Sequence, residues 1–129
     1  MKFAKRKKPV TFLQIRPEFR VRDIESVIAF YTKSIGFELA LRQEVEIKGR
    51  MRGFALLRRD TAELSLVESD ETFSHGAFLY VRNIETLYER CQEQKVEIVR
   101  GLESHAYGLK DFVVRDPAGN QIGIGERIA

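Results

Sequence analysis

Three charged residues alternate with apolar ones in the run Arg16-Pro17-Glu18-Phe19-Arg20-Val21, and a fourth, Glu63, opens the run Glu63-Leu64-Ser65-Leu66. In an extended chain successive side chains point to opposite faces. Arg16, Glu18 and Arg20 therefore share one face, and Pro17, Phe19 and Val21 the other. The same alternation sets Glu63 and Ser65 against Leu64 and Leu66. It sets Gly76, Phe78 and Tyr80 against Ala77, Leu79 and Val81, and Gly123 and Gly125 against Ile122 and Ile124. Guanidiniums, carboxylates, aromatic rings and glycines together are what a small-ligand pocket contains. An arginine there can grip a carboxylate or phosphate through two parallel hydrogen bonds. The four charges Arg16, Glu18, Arg20 and Glu63 can equally pair internally, across half-domains or a dimer interface, and residue types alone leave both readings open.

Few other groups could do chemistry. His105 has a side-chain type that titrates near neutrality and can act as a general acid or base, but with no clear partner it reads as a loop residue. Tyr107 either lines a ligand or packs its own hairpin. His75 reads as a solvated residue of the polar segment 69–75. Cys91 falls on the apolar stripe of a helix and reads as an inert core thiol. Arg50, Arg52, Arg58 and Arg59 read as solvated strand and turn charges. The chain contains no phosphate loop, catalytic-triad pattern or C-x-x-C motif.

The elements that must position these residues are visible as a repeat. Val21-Arg22-Asp23-Ile24-Glu25-Ser26 recurs sixty residues later as Val81-Arg82-Asn83-Ile84-Glu85-Thr86. Asp23 and Asn83 are both good helix N-caps. Ile24, Val27, Ile28 and Tyr31 match Ile84, Leu87, Tyr88 and Cys91, spaced i, i+3, i+4 and i+7 as one buried stripe per helix requires. The pattern predicts strands near 17–22, 37–47, 53–59 and 62–68 around a helix at 24–34. A second set falls near 76–82, 96–99, 111–115 and 121–126 around a helix at 84–94. Two βαβββ units, about 10–68 and 76–129, would form one α+β domain of curved sheets around a cleft, with 69–75 as linker. The run Asp116-Pro117-Ala118-Gly119-Asn120 reads as a hairpin turn, with Pro117 fixing φ and Gly119 supplying φ > 0.

Composition narrows the function classes. The chain has 129 residues, 43% hydrophobic and 32% charged, as expected of a globular protein. No apolar run reaches the ~20 residues that span a bilayer, so no membrane role is expected. The basic start is not followed by an apolar stretch, so no secretory signal is expected. One cysteine fits a reducing compartment, and cytoplasm is the expected location. The sequence pI of about 9.1 reflects Lys2, Lys5, Arg6, Lys7 and Lys8. Residues 9–129 carry 17 basic against 19 acidic side chains. A basic tail over 1–9, expected to be disordered, on a near-neutral body does not describe a nucleic-acid-binding protein.

The motifs, in their order and spacing, resemble the vicinal-oxygen-chelate superfamily of glyoxalases, bleomycin-resistance proteins and extradiol dioxygenases. Asp23-Ile24-Glu25-Ser26 with Phe30-Tyr31 and Ile35-Gly36-Phe37 is similar to the family's D…FY…LGF helix. Tyr107-Gly108-Leu109-Lys110-Asp111-Phe112 resembles its WG-x-x-x-F hairpin, with Tyr for Trp, and Asp116–Asn120 its DPxGN turn. The resemblance covers roughly 16–127 and implies the same two-unit α+β fold.

Metal-dependent members hold a divalent ion with two side chains from each half. The resemblance puts those four positions at Arg16, Glu63, Gly76 and Gly123. An arginine cation repels a metal ion and glycine has no side chain to donate, so only Glu63 could serve and no metal or cofactor is expected. The reading is a small-molecule-binding protein on the branch that resembles bleomycin-resistance proteins, acting by sequestration as a homodimer. Arg16 and Arg20 favour an anionic or aromatic ligand, contacted by Arg16, Glu18, Arg20, Glu63, Phe78, Tyr80 and Tyr107. The alternatives are a glyoxalase-type lyase, isomerase or dioxygenase with a shifted metal site at Glu63 and His75, or a protein-interaction module.

Overall fold

The computed structural model describes residues 8–128. The first half runs β1 (Glu18–Val21), α1 (Ile24–Ala29), a π-helical continuation (Phe30–Ile35), β2 (Glu38–Ile47), β3 (Arg50–Arg59) and β4 (Ala62–Glu68). The second runs β5 (Gly76–Tyr80), α2 (Ile84–Glu93), β6 (Glu97–His105), β7 (Leu109–Arg115) and β8 (Gln121–Arg127). Each half is a four-stranded sheet, ordered β1-β4-β3-β2 and β5-β8-β7-β6. In both, the first strand pairs parallel with the last and the others pair antiparallel. The fold is α+β in two βαβββ half-domains. Residues 1–7 of the basic tail lie outside the described residues. Among the described residues no helix is long and apolar enough to cross a membrane.

Three local expectations are corrected. The first helix spans the expected residues but changes winding: after Ala29 it continues as a π-helix, and Gly36 N–H closes on Tyr31 O at 2.9 Å. Gly36 ends it at φ 113°, a conformation other residues rarely adopt. The second helix is not capped by Asn83, which sits at φ 62° with no side-chain cap bond. Glu126, reaching across from β8, accepts from the Asn83 and Ile84 amides at 3.2 and 3.1 Å. Its carboxylate both satisfies orphan donors and complements the positive helix end. Strand β6 runs to His105 rather than ending near 99. Register shifts between Ile98, Arg100 and Glu103 carry the pairing past Gly101, so that glycine does not end the strand.

A single core lies on the helix-bearing faces of both sheets. Phe19, Val21, Ile24, Val27, Tyr31, Leu57 and Leu66 of the first half join Ile84, Cys91, Phe112, Val114 and Ile124 of the second in one buried cluster. Cys91 is fully buried, and burial pushes its thiol up to about 11, so it is an inert core group.

The halves are pinned by a polar chain within this core. The buried Asp116 carboxylate accepts from the Tyr31 hydroxyl at 2.7 Å. It also accepts from the Ala118 and Asn120 amides and from Asn120 Nδ2, each at 2.9 Å. Asn120 in turn accepts from the His75 amide at 2.8 Å. Burial, then the charge and hydrogen bond of Asp116, hold the Tyr31 hydroxyl far above its usual range, so it stays a donor.

Removing that donor in Tyr31→Phe is expected to cost about 2 kcal/mol, as for a hydrogen bond to a charged group. Asp116→Ala, which strands several buried donors, should cost roughly 4 kcal/mol. Urea unfolding checks both values, and a Tyr31→Phe variant as stable as the parent would show that the bond contributes nothing.

Candidate functional site

The faces of the two sheets turned away from the helices carry the residues singled out above. Their register builds rows across each sheet. In the first half Glu18 lies opposite Ser65, and Ser65 opposite Leu56; Arg20 lies opposite Val67, and Val67 opposite Phe54. In the second half Phe78 lies opposite Gly123, and Gly123 opposite Val113; Tyr80 lies opposite Gly125, and Gly125 opposite Asp111. Burial alternates with period two along β1 and β5, whereas on β4 Leu64, Ser65, Leu66 and Val67 are all buried, and on β8 Ile124 and Gly125 both are.

Glu63 sits within a cationic setting. It accepts from the Gln14 amide and forms an ion pair with Arg58 at 3.3 Å. The Gln14 bond first, and then Arg58 and the charge of Arg16, hold its carboxyl below the usual range. Glu18 and Arg20 are exposed on the same face. The Arg20 guanidinium stands 6.0 Å from the Phe73 ring centre, a contact at the outer limit for a cation over a ring. Phe78 and Tyr80 form a tilted ring pair with centres 4.9 Å apart, and Arg127 lies over Tyr80 at 4.3 Å. Tyr107 is exposed at the β6–β7 tip and stacks on His105, with centres 4.9 Å apart and ring planes nearly parallel. Among the described residues no hydrogen bond, ion pair or ring contact joins the Arg16, Glu18, Arg20 and Glu63 group to the Phe78, Tyr80 and Tyr107 group.

Two assignments change. His75 is not a solvated linker residue: its ring stacks on buried Phe19 with centres 5.1 Å apart and 8° between planes, and its Nε2 accepts from the Arg20 amide at 3.1 Å. His105 is not a partnerless loop residue either. It ends β6, and its Nε2 lies 2.7 Å from the carboxylate of Asp111, which is 6% exposed. Arg100 reaches the same carboxylate at 2.5 Å. Burial pushes the Asp111 carboxyl up, but the bonds from His105 and Arg100 and their charges outweigh it and hold it below its usual range.

Sequence reasoning missed Asp111 and Arg100. The signal was present in Leu109-Lys110-Asp111-Phe112-Val113, where alternation puts a carboxylate on the open face. Recognising its partners required β6 to extend to His105.

The two glycines also have a different role from making room for a ligand. The Phe78 ring lies across both. A Cβ on Gly123 would stand 2.6 Å from Phe78 Cδ2, and one on Gly125 would stand 2.6 Å from Phe78 Cζ. The ring therefore occupies the space above the β5–β8 ladder that side chains at 123 and 125 would need.

A family model for the Glyoxalase/Bleomycin resistance protein/Dioxygenase superfamily matches residues 12–124. The chain belongs to that superfamily. Solved structures agree at the level of fold. TioX from Micromonospora sp. ML1 superposes with a TM-score of 0.78 at 19% identity, covering 91% of this chain and 100% of that one. Lactoylglutathione lyase from Agrobacterium tumefaciens gives 0.70 at 18% identity, covering 92% and 96%. A superfamily member from Sphaerobacter thermophilus DSM 20745 gives 0.71 at 19% identity, covering 90% and 98%.

The divalent ion of the family's metal-dependent members does not fit these residues. Arg16 brings positive charge to Glu63, whose carboxylate is already engaged by Arg58 and Gln14. At the second-half positions, Gly76 has no donor and the Phe78 ring covers Gly123. His75 sits one residue from its expected place and faces the core, its Nε2 lone pair taken by Arg20 N–H. Among the described residues no three His, Cys, Asp or Glu side chains converge as a metal set.

Gly123→Ala is expected to destabilise the fold by about 1–3 kcal/mol through overpacking against Phe78. Phe78→Ala should remove that penalty, so the two substitutions should couple in a double-mutant cycle; independent effects would mean the ring swings away at no cost. Asp111→Asn tests the acid cluster. The native carboxyl titrates below its unfolded value of about 3.9. Its stabilisation is therefore complete above that pH and is lost as pH falls through the lower folded value. The stability gap between parent and variant, about 2 kcal/mol near neutrality, should close in acid.

Proposed function

We propose that this protein binds a small organic molecule, anionic or aromatic, on the open sheet faces without a metal ion and without changing it chemically. The observation that carries this reading is the Phe78 ring laid over Gly123 and Gly125, which replaces a ligating side chain with an aromatic wall. Arg20 supplies an exposed cation on one face, and Phe78 and Tyr80 supply half-exposed rings on the other. A guanidinium fixes the anionic end of a ligand, and rings hold its flat or apolar part.

The site is best completed by a second copy. Leu41, Phe78, Tyr80 and Tyr107 are 42–74% exposed, and Val10, Phe12, Leu13 and Ile15 are 83–94% exposed, so the chain presents more apolar surface than a monomer gains from showing. A homodimer that covers these faces would close a pocket around the ligand. The cytoplasm is the proposed location, where one reduced cysteine is unremarkable.

One arrangement favours an enzymatic second reading. With Asp111 bound at Nε2, the His105 imidazole leaves Nδ1 as the position that could take a proton from a bound molecule. The ligand would then be a substrate for proton transfer rather than a captive.

Size-exclusion chromatography with light scattering is expected to give twice the chain mass. A thermal-shift survey of aromatic carboxylates and phosphates should yield hits that Arg20→Ser weakens at least tenfold. Recovery of each hit unaltered after incubation supports capture, whereas conversion that is lost in His105→Gln supports the second reading. A monomer that no member of the survey stabilises would overturn both.

A further inference from the structure

A second candidate site lies in the groove between the two halves, bordering the open face of the second sheet at Tyr80 and Arg127. It has a volume of about 930 Å³ and is lined by Phe37 and Arg59 of the first half and by Leu79, Arg82, Leu87, Arg90 and Arg127 of the second, among others. Its charge is lopsided. Six of the described arginines sit in ion pairs: Arg42, Arg50, Arg52, Arg58, Arg100 and Arg115. Of the seven other described arginines, which have no carboxylate partner among the described residues, Arg59, Arg82, Arg90 and Arg127 line this groove, while Arg16, Arg20 and Arg22 lie elsewhere. The acids nearby do not balance them. Glu126 is engaged at the start of α2, and Asp60 stands exposed on the β3–β4 turn.

Two of the four are held in place. Arg59 Nη1 donates to Gly36 O at 3.1 Å, and Arg90 Nη2 donates to Lys33 O at 2.8 Å. They come from different halves, yet both point at Gly36. A Cβ there would stand 2.6 Å from Arg59 Nη1 and 3.7 Å from Arg90 Nη1. Each guanidinium has five N–H donors in a rigid fork, so one bond to a carbonyl leaves most of them free. Arg127 is steadied over the Tyr80 ring. The remainder of the lining, including Ile35, Phe37, Leu79 and Leu87, is apolar. Like charges gathered with low-dielectric walls raise the local concentration of counter-ions.

We propose that this groove binds an organic anion bearing two or more phosphate or carboxylate groups, gripped by Arg59, Arg82, Arg90 and Arg127. The site adjoins the one proposed on the second sheet's face at Tyr80, over which Arg127 lies, but Arg59, Arg82 and Arg90 are separate from Arg20 and Phe78, so Arg82→Ser alone tests this groove apart from that site. Such a ligand would bridge the halves, since its cationic contacts come from both.

The test is calorimetric titration of the full chain at low salt with tripolyphosphate and, separately, with citrate. One bound anion per chain is expected from at least one of them, and which one binds separates phosphate from carboxylate recognition. Arg82→Ser/Arg127→Ser should weaken binding at least tenfold; circular dichroism should confirm that this variant is folded, with Arg82→Ser alone as the milder version. A variant with serine at positions 2, 5, 6, 7 and 8 should bind within twofold of the parent, excluding the basic tail as the site. No saturable binding by either anion, or any other pattern among the variants, would overturn the assignment.

Discussion

The arrangement of the whole chain depends on one buried carboxylate. Asp116 closes its own turn through the Ala118 and Asn120 amides and receives the Tyr31 hydroxyl from the opposite half. Asn120 continues the chain to the His75 amide, and His75 continues it to Arg20 N–H and the Phe19 ring. A buried ion is costly unless its lone pairs are satisfied, and here each donor comes from an element whose position the bond then fixes. Helix, linker, first strand and last hairpin are thereby locked to one another. An apolar core alone would bury as much surface but would not specify that geometry so narrowly.

Joining the halves by their helix-bearing sides has a functional consequence. It leaves the other face of each sheet free, and those faces carry Arg20 and Glu63 on one sheet and Phe78, Tyr80, Asp111 and His105 on the other. The superfamily scaffold is retained while its usual donor positions have been given to other work. Gly123 carries a neighbouring ring and Glu63 balances arginines, while His75, one residue from the Gly76 position, pins the core. These replacements are mutually consistent, since an aromatic wall and guanidiniums suit capture of an anion or ring better than chelation of a cation.

Much of this was legible in the sequence because it rests on local periodicity. The sixty-residue repeat, the buried stripes on both helices and the alternation of the strands follow from geometry that neighbouring residues share. The superfamily's turn and helix motifs were legible for the same reason. What escaped was non-local. Asn83 looks like a cap, but Glu126 reaches the helix start from a strand more than forty residues away. His105 looked partnerless because Asp111, which Arg100 also reaches, meets it only across a strand pair whose bulges no propensity foretells. Phe78 was rightly placed on the face of Gly123, but that its ring lies over the glycines is a rotamer, which alternation does not supply.

The central claim is that this scaffold holds its ligand without a divalent ion. The direct measurement is elemental analysis of protein purified without chelators and dialysed after exposure to magnesium, manganese, iron and zinc salts. The account predicts far less than one equivalent of any of them per chain, and no change on Glu63→Ala. One equivalent of a divalent ion, lost on Glu63→Ala, would contradict it.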